Sequence, residues 1–144
     1  MVEWQPADTN THQDHVIAHV IGATVLAYFI WDETAYLLLD IGFIWNIYLD
    51  GEMGLVPQTV AASELEVNDE IKSEIRSDLD QISLSDETPL LRLSRSTGSS
   101  PIVSVEFLAF ENLRQVRIHC EDGILAVETS LETAQIKITE DWQG

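Results

Sequence analysis

The chain has 144 residues, enough for one domain that buries roughly 68–70% of its unfolded surface, and its apolar fraction of 45% is that of a globular protein rather than a disordered one. Its 25 acids outnumber seven lysines and arginines, for a net charge of -18, and no lysine or arginine precedes Lys72. Nucleic acid and anionic lipid, both bound through Lys and Arg, are therefore excluded as expected partners, and a basic protein partner fits better.

Residues 1–14 are polar and acidic with no apolar period, so they predict a flexible acidic arm followed by a single α+β domain over 15–144. This start does not resemble a secretory signal, and a lone Cys120 permits no intrachain disulfide, so a cytoplasmic location is expected. The apolar run Val16 to Trp31 is short for a membrane span and lacks basic anchors, so no membrane partner is expected.

From Val16 to Leu49 the β-branched and aromatic content predicts two long strands joined at Asp32-Glu33-Thr34. The second strand alternates. One face carries Leu37, Leu39, Ile41, Phe43, Trp45, Ile47 and Leu49 as core, and the other mixes Tyr36, Leu38, Asp40, Gly42, Ile44, Asn46, Tyr48 and Asp50. Asp50-Gly51 predicts a hairpin turn and a short return strand over Met53 to Val56, ended by Pro57. Ser63 with Glu66 forms a capping-box pattern, and Val67, Ile71, Ile75, Leu79 and Ile82 follow as one apolar stripe, so the main helix is expected over 63–82. Strands are then expected over Leu90 to Arg95, Ile102 to Phe110, Leu113 to Cys120, Ile124 to Thr129 and Ala134 to Thr139, with turns at Glu111-Asn112 and Asp122-Gly123.

Strands, helix, strands predicts an α+β fold: a mainly antiparallel, strongly curved sheet of about seven strands packed on one main helix. One helix cannot cover both faces of such a sheet. Either the sheet curls around its own core or a second copy covers it, which favours a homodimer.

Residues able to carry chemistry are few. His12, His15 and His19 share a helix face at i, i+3 and i+7, but the ligand set is too small for a metal site and none is assigned. His119 and Cys120 are neighbours on a strand and point to opposite faces, so they form no nucleophile and base pair. The loop around Gly98 lacks the lysine of a phosphate loop, and no nucleophile-elbow pattern is present. No cofactor and no catalytic residue is assigned, so the chain leans away from being an enzyme. Asp40, inside an apolar strand, would become a general acid or base if buried, with Asn46 or Tyr48 on its face, and is an ordinary surface acid otherwise. On the helix, Glu66, Glu70, Glu74 and Asp78 form a row of like charges at i, i+4, an arrangement that costs helix stability.

The expectation is a non-enzymatic interaction module of the adaptor, inhibitor, immunity or chaperone kind. It would dock a basic partner through Glu66, Glu70, Glu74 and Asp78 or through the Tyr36, Asp40 and Tyr48 face. The alternative is a small-molecule-binding module or small enzyme with a pocket in the curved sheet near Asp40. Acid excess as an adaptation to a salty cytoplasm, with no functional message, is a third reading.

Overall fold

A computed structural model describes residues 4–31, 33–50, 52–57, 69–84, 90, 93–96 and 100–142, and for 79–84 the backbone alone. The described strands form two antiparallel sheets. The first has the order β1-β7-β8-β9-β10, from β1 (Gln5–Pro6), β7 (Ile102–Phe110), β8 (Leu113–Cys120), β9 (Gly123–Ser130) and β10 (Ile136–Trp142). The second has the order β5-β4-β3-β2-β6, from β2 (Val25–Trp31), β3 (Thr34–Leu39), β4 (Phe43–Tyr48), β5 (Met53–Pro57) and β6 (Ser94–Arg95). Among the described residues two helices accompany them, α1 (Thr11–Val20) and α2 (Asp69–Leu84).

The sheets face each other across one core. Leu37, Leu39, Trp45 and Ile47 from the second sheet meet Val116, Ile118, Leu125 and Val127 from the first, and α1 adds Val16 and Val20. On the outer face of the second sheet Ala27, Leu38 and Ile44 pack on Ile71 and Ile75 of α2. The described architecture is thus an α+β two-sheet sandwich with α2 on its outer face, in place of the expected single curved sheet of seven strands on one helix. The inner apolar face of each sheet is covered by the other. Such a partition is set by distant pairings, β1 with β7 and β6 with β2, which local patterning does not encode.

Two local differences have clear causes. The expected strand start at Val16 is the second half of α1: Asn10 accepts the Gln13 amide at 2.7 Å while the Gln13 side chain accepts the Asn10 amide at 2.9 Å, a reciprocal N-cap. Ordered structure therefore reaches into the segment expected to be an arm, with Gln5–Pro6 paired to β7 and the helix beginning at Thr11. The expected long strand over 36–50 is a hairpin that turns at Asp40 to Gly42, where Gly42 takes φ +83, a conformation strained for other residues. The alternation survives the turn because Leu37 faces Trp45 and Leu38 faces Ile44, so Leu37, Leu39, Trp45 and Ile47 stay inside. Ile41 and Phe43, expected in the core, are exposed beside the turn.

Candidate functional site

The hairpin tips after β2, β4, β7 and β9 gather at one end of the sandwich. Thr129 Oγ1 donates to the Leu49 carbonyl at 2.6 Å and the Leu131 amide donates to the Asn112 carbonyl at 2.9 Å, tying tips from both sheets together. Among the described residues three that are not glycine, Glu33 (φ 63), Glu111 (φ 52) and Ala134 (φ 58), hold the left-handed conformation, and all three lie in these tips. Such a conformation costs about 1–2 kcal/mol in a residue with a side chain.

At this end Glu33, Asp50 and Glu52 surround Thr34, Tyr48, Leu49 and Leu131 in an open hollow of about 460 Å³. Tyr48 is 42% exposed and Leu131 44%, so the hollow presents an aromatic face and an aliphatic knob among carboxylates. Asn10 Nδ2 donates to Glu52 Oε1 at 2.7 Å, and Asp50 Oδ1 accepts the Glu52 amide at 3.0 Å. Among the described residues no lysine or arginine lies within 4 Å of these three carboxylates. Their field is therefore open to a cation from outside.

A second, smaller cleft of about 200 Å³ opens between the second sheet and α2, lined by Tyr28, Phe29, Ile30, Trp31, Ile71, Ile75 and Ser94. Tyr36 is stacked flat on Phe29, one of the lining residues, with ring centres 4.6 Å apart. Asn46, opposite Tyr36 on β4, is buried, and its Oδ1 has no hydrogen-bond partner among the described residues.

The expected site residues are dispersed. Asp40 is an exposed turn residue whose Oδ1 accepts the Thr24 amide at 2.9 Å, while its own amide donates to the Thr24 carbonyl. It anchors a loop and lines neither hollow. Glu66, with Ser63 and the rest of the capping box, lies outside the described residues. Glu70 is exposed, Glu74 is half-buried, and Asp78 is buried, accepting the Leu93 amide at 3.0 Å. Of the four, only Glu70 lies fully on the surface among the described residues, because Asp78 follows Ile75 by three positions and shares its inward face. Tyr36 and Tyr48 lie on different features, and only Tyr48 joins the acidic hollow. Glu33, Asp50 and Glu52 were missed because Glu33 lies in one hairpin turn and Asp50 and Glu52 in another, and the two turns show no shared spacing in sequence.

The remaining chemistry-bearing side chains are committed to structure. His12 Nε2 bonds the Met53 carbonyl at 2.9 Å and His19 Nδ1 the His15 carbonyl at 2.8 Å, so those nitrogens carry protons and donate. Among the described residues no group of three His, Cys, Asp or Glu is placed to hold a metal ion, and no helix is long and apolar enough to cross a membrane. His119 bonds Glu106 at 3.1 Å on the outer face of the first sheet, with Arg117 also 3.9 Å from that carboxylate. Cys120 turns the other way and packs on the core, where burial pushes its thiol up and away from thiolate chemistry.

One polar network bridges the two sheets. Glu140 accepts Tyr28 Oη at 3.0 Å through Oε2, and Ser96 Oγ at 2.6 Å and Trp142 Nε1 at 3.1 Å through Oε1. Burial, then the bond to Glu140 and its charge, push the Tyr28 phenol up to about 12. Between pH 10 and 12 the unfolded chain has lost this proton and the folded chain still holds it, so stability falls as pH rises through that window. Tyr28→Phe is expected to lessen that alkaline loss, read as the slope of the urea midpoint against pH. An unchanged slope would show that other groups cause it.

Comparison with protein families, with characterised proteins and with solved structures finds no match to this chain.

Proposed function

We propose that the chain is a non-enzymatic interaction module that docks a basic segment of a partner protein in the hollow of Glu33, Asp50 and Glu52. The observation that carries this reading is the set of carboxylates around an exposed Tyr48 and Leu131, with no lysine or arginine paired to them among the described residues. A lysine or arginine placed over Tyr48 gains attraction from the ring face and from the carboxylates, and Leu131 offers apolar contact for the stem of the same side chain. The acid excess elsewhere steers such a partner inward at low ionic strength.

A lysine- and arginine-rich peptide carrying one leucine is the probe, followed by fluorescence anisotropy. The combined variant E33Q/D50N/E52Q is expected to bind about tenfold more weakly, since rim charge pairs contribute about 0.2–1 kcal/mol each, and to lose most of the salt dependence. Equal affinity of variant and wild type overturns the reading. Glu33→Gly gives a separate control: it relieves the left-handed strain, so it is expected to raise stability by about 1 kcal/mol while weakening binding.

The alternative of a small-molecule-binding module moves from Asp40 to the apolar cleft of Phe29, Trp31, Ile71 and Ile75, whose size suits a single ring. Quenching of Trp31 emission by a small aromatic probe, absent in an Ile75→Phe variant that fills the cleft, would favour that reading.

A further inference from the structure

From its exposed edge we infer that β10 pairs with the β10 of a second copy of this chain, joining two sandwiches through one continuous sheet. β10 is the last strand of the first sheet and pairs with β9 along all seven of its residues, Ile136 opposite Thr129 through Trp142 opposite Gly123. Among the described residues nothing pairs with its other edge. An open edge of this length is a template for another strand unless charge, proline or a bulge blunts it, and β10 has no proline and no register break.

The sequence of this edge is complementary to itself in one register. Antiparallel pairing about a twofold axis at Thr139 sets Lys137 opposite the second copy's Asp141, and Asp141 opposite the second copy's Lys137. Thr139 meets its own equivalent on the axis, and Ile136 meets Trp142 on the core side. Lys137, Thr139 and Asp141 are all exposed in the single chain, and neither Lys137 nor Asp141 forms an ion pair among the described residues. Lys137 already has Glu128 across from it on β9, whereas Asp141 faces Ile124. Pairing thus places Lys137 between two carboxylates and gives Asp141 the cation it lacks.

Registers displaced by two residues set Lys137 or Asp141 opposite Thr139 and lose both ion pairs, so the charges select the register. Glu140, opposite Ile138 in the selected register, has its carboxylate already satisfied by Tyr28, Ser96 and Trp142 and meets the second copy only through its stem. Two chains of net charge -18 repel, and this edge offsets that locally by presenting opposite charges to itself. The inference is independent of the docking hollow, which lies at the hairpin tips.

Sedimentation of the full chain at micromolar concentration tests it. Wild type is expected at twice the chain mass of 16.2 kDa. Lys137→Asp and Asp141→Lys each create like-charged pairs and are each expected at the single-chain mass, with unchanged circular dichroism because both side chains are exposed. Mixing the two variants is expected to restore the doubled mass, since each supplies the charge the other has lost, and the double variant K137D/D141K is expected to pair with itself. A wild type at single-chain mass, a doubled mass that persists in Lys137→Asp, or single variants that stay apart on mixing would each overturn the inference.

Discussion

Replacing Trp45 by alanine is expected to remove about 3–5 kcal/mol of folding stability, the range found when a large aromatic is deleted from a packed core. Trp45 is fully buried, and it is the largest side chain held between the two sheets. It packs among Leu37 opposite on β3 and the valines and leucine of the facing sheet, while its indole N–H donates to the Met53 sulfur at 3.3 Å on β5. Truncation therefore leaves a void spanning both sheets, which the flanking strands cannot close without losing their registers. Total stability for a domain is about 5–15 kcal/mol, so the variant should be near the limit of folding at ordinary temperature. Urea titration followed by circular dichroism measures the change, and Trp45→Phe, which keeps most of the volume and loses the N–H···S contact, should fall between the two. A loss below about 1 kcal/mol for Trp45→Ala would mean that the two sheets do not close over this residue.

How much of this was legible in the sequence differs from element to element. The strands over Ile102–Phe110 and Leu113–Cys120 are found where period-two patterning and the Glu111-Asn112 turn place them, because each lies in an antiparallel meander whose turns are local. Asp122-Gly123 marks its hairpin for a further reason: a Cβ on Gly123 would lie 2.5 Å from the Asp141 carbonyl and 2.7 Å from the Trp142 ring. Helix α1 was hidden by its content of valine and isoleucine, and its signal lay in Asn10 and Gln13, a polar pair read as part of an arm. The turn at Gly42 was hidden inside an apolar run whose alternation continued through it. Division into two sheets, and the gathering of Glu33, Asp50 and Glu52 around Tyr48, depend on contacts between distant hairpins and leave no periodic trace. The burial of Asp78 has a geometric reason that was present in the sequence: positions 71, 75 and 78 follow the i, i+4, i+7 stripe, so the last member of the acid row belongs to the buried face.

That buried acid gives the second large effect. Asp78 is 1% exposed and its Oδ2 accepts the amide of Leu93, a residue itself buried just before β6. The bond joins the α2 face that packs on the second sheet to the segment leading into that sheet's edge strand. Asp78→Ala removes the acceptor and strands a buried N–H, which costs about 1–3 kcal/mol beyond any change in helix propensity. Asp78→Asn keeps a carbonyl oxygen at the same position and is expected to recover most of the loss. Loss of stability alone would not locate the cause, so amide exchange is the decisive measurement: the Leu93 N–H should exchange faster in the alanine variant at a denaturant concentration where global unfolding is negligible, and return toward wild type in the asparagine variant. Equal protection of that amide in all three proteins would show that the carboxylate does not hold it. The packing of Ile71, Ile75 and Leu93 would then carry the larger part of the helix-to-edge connection.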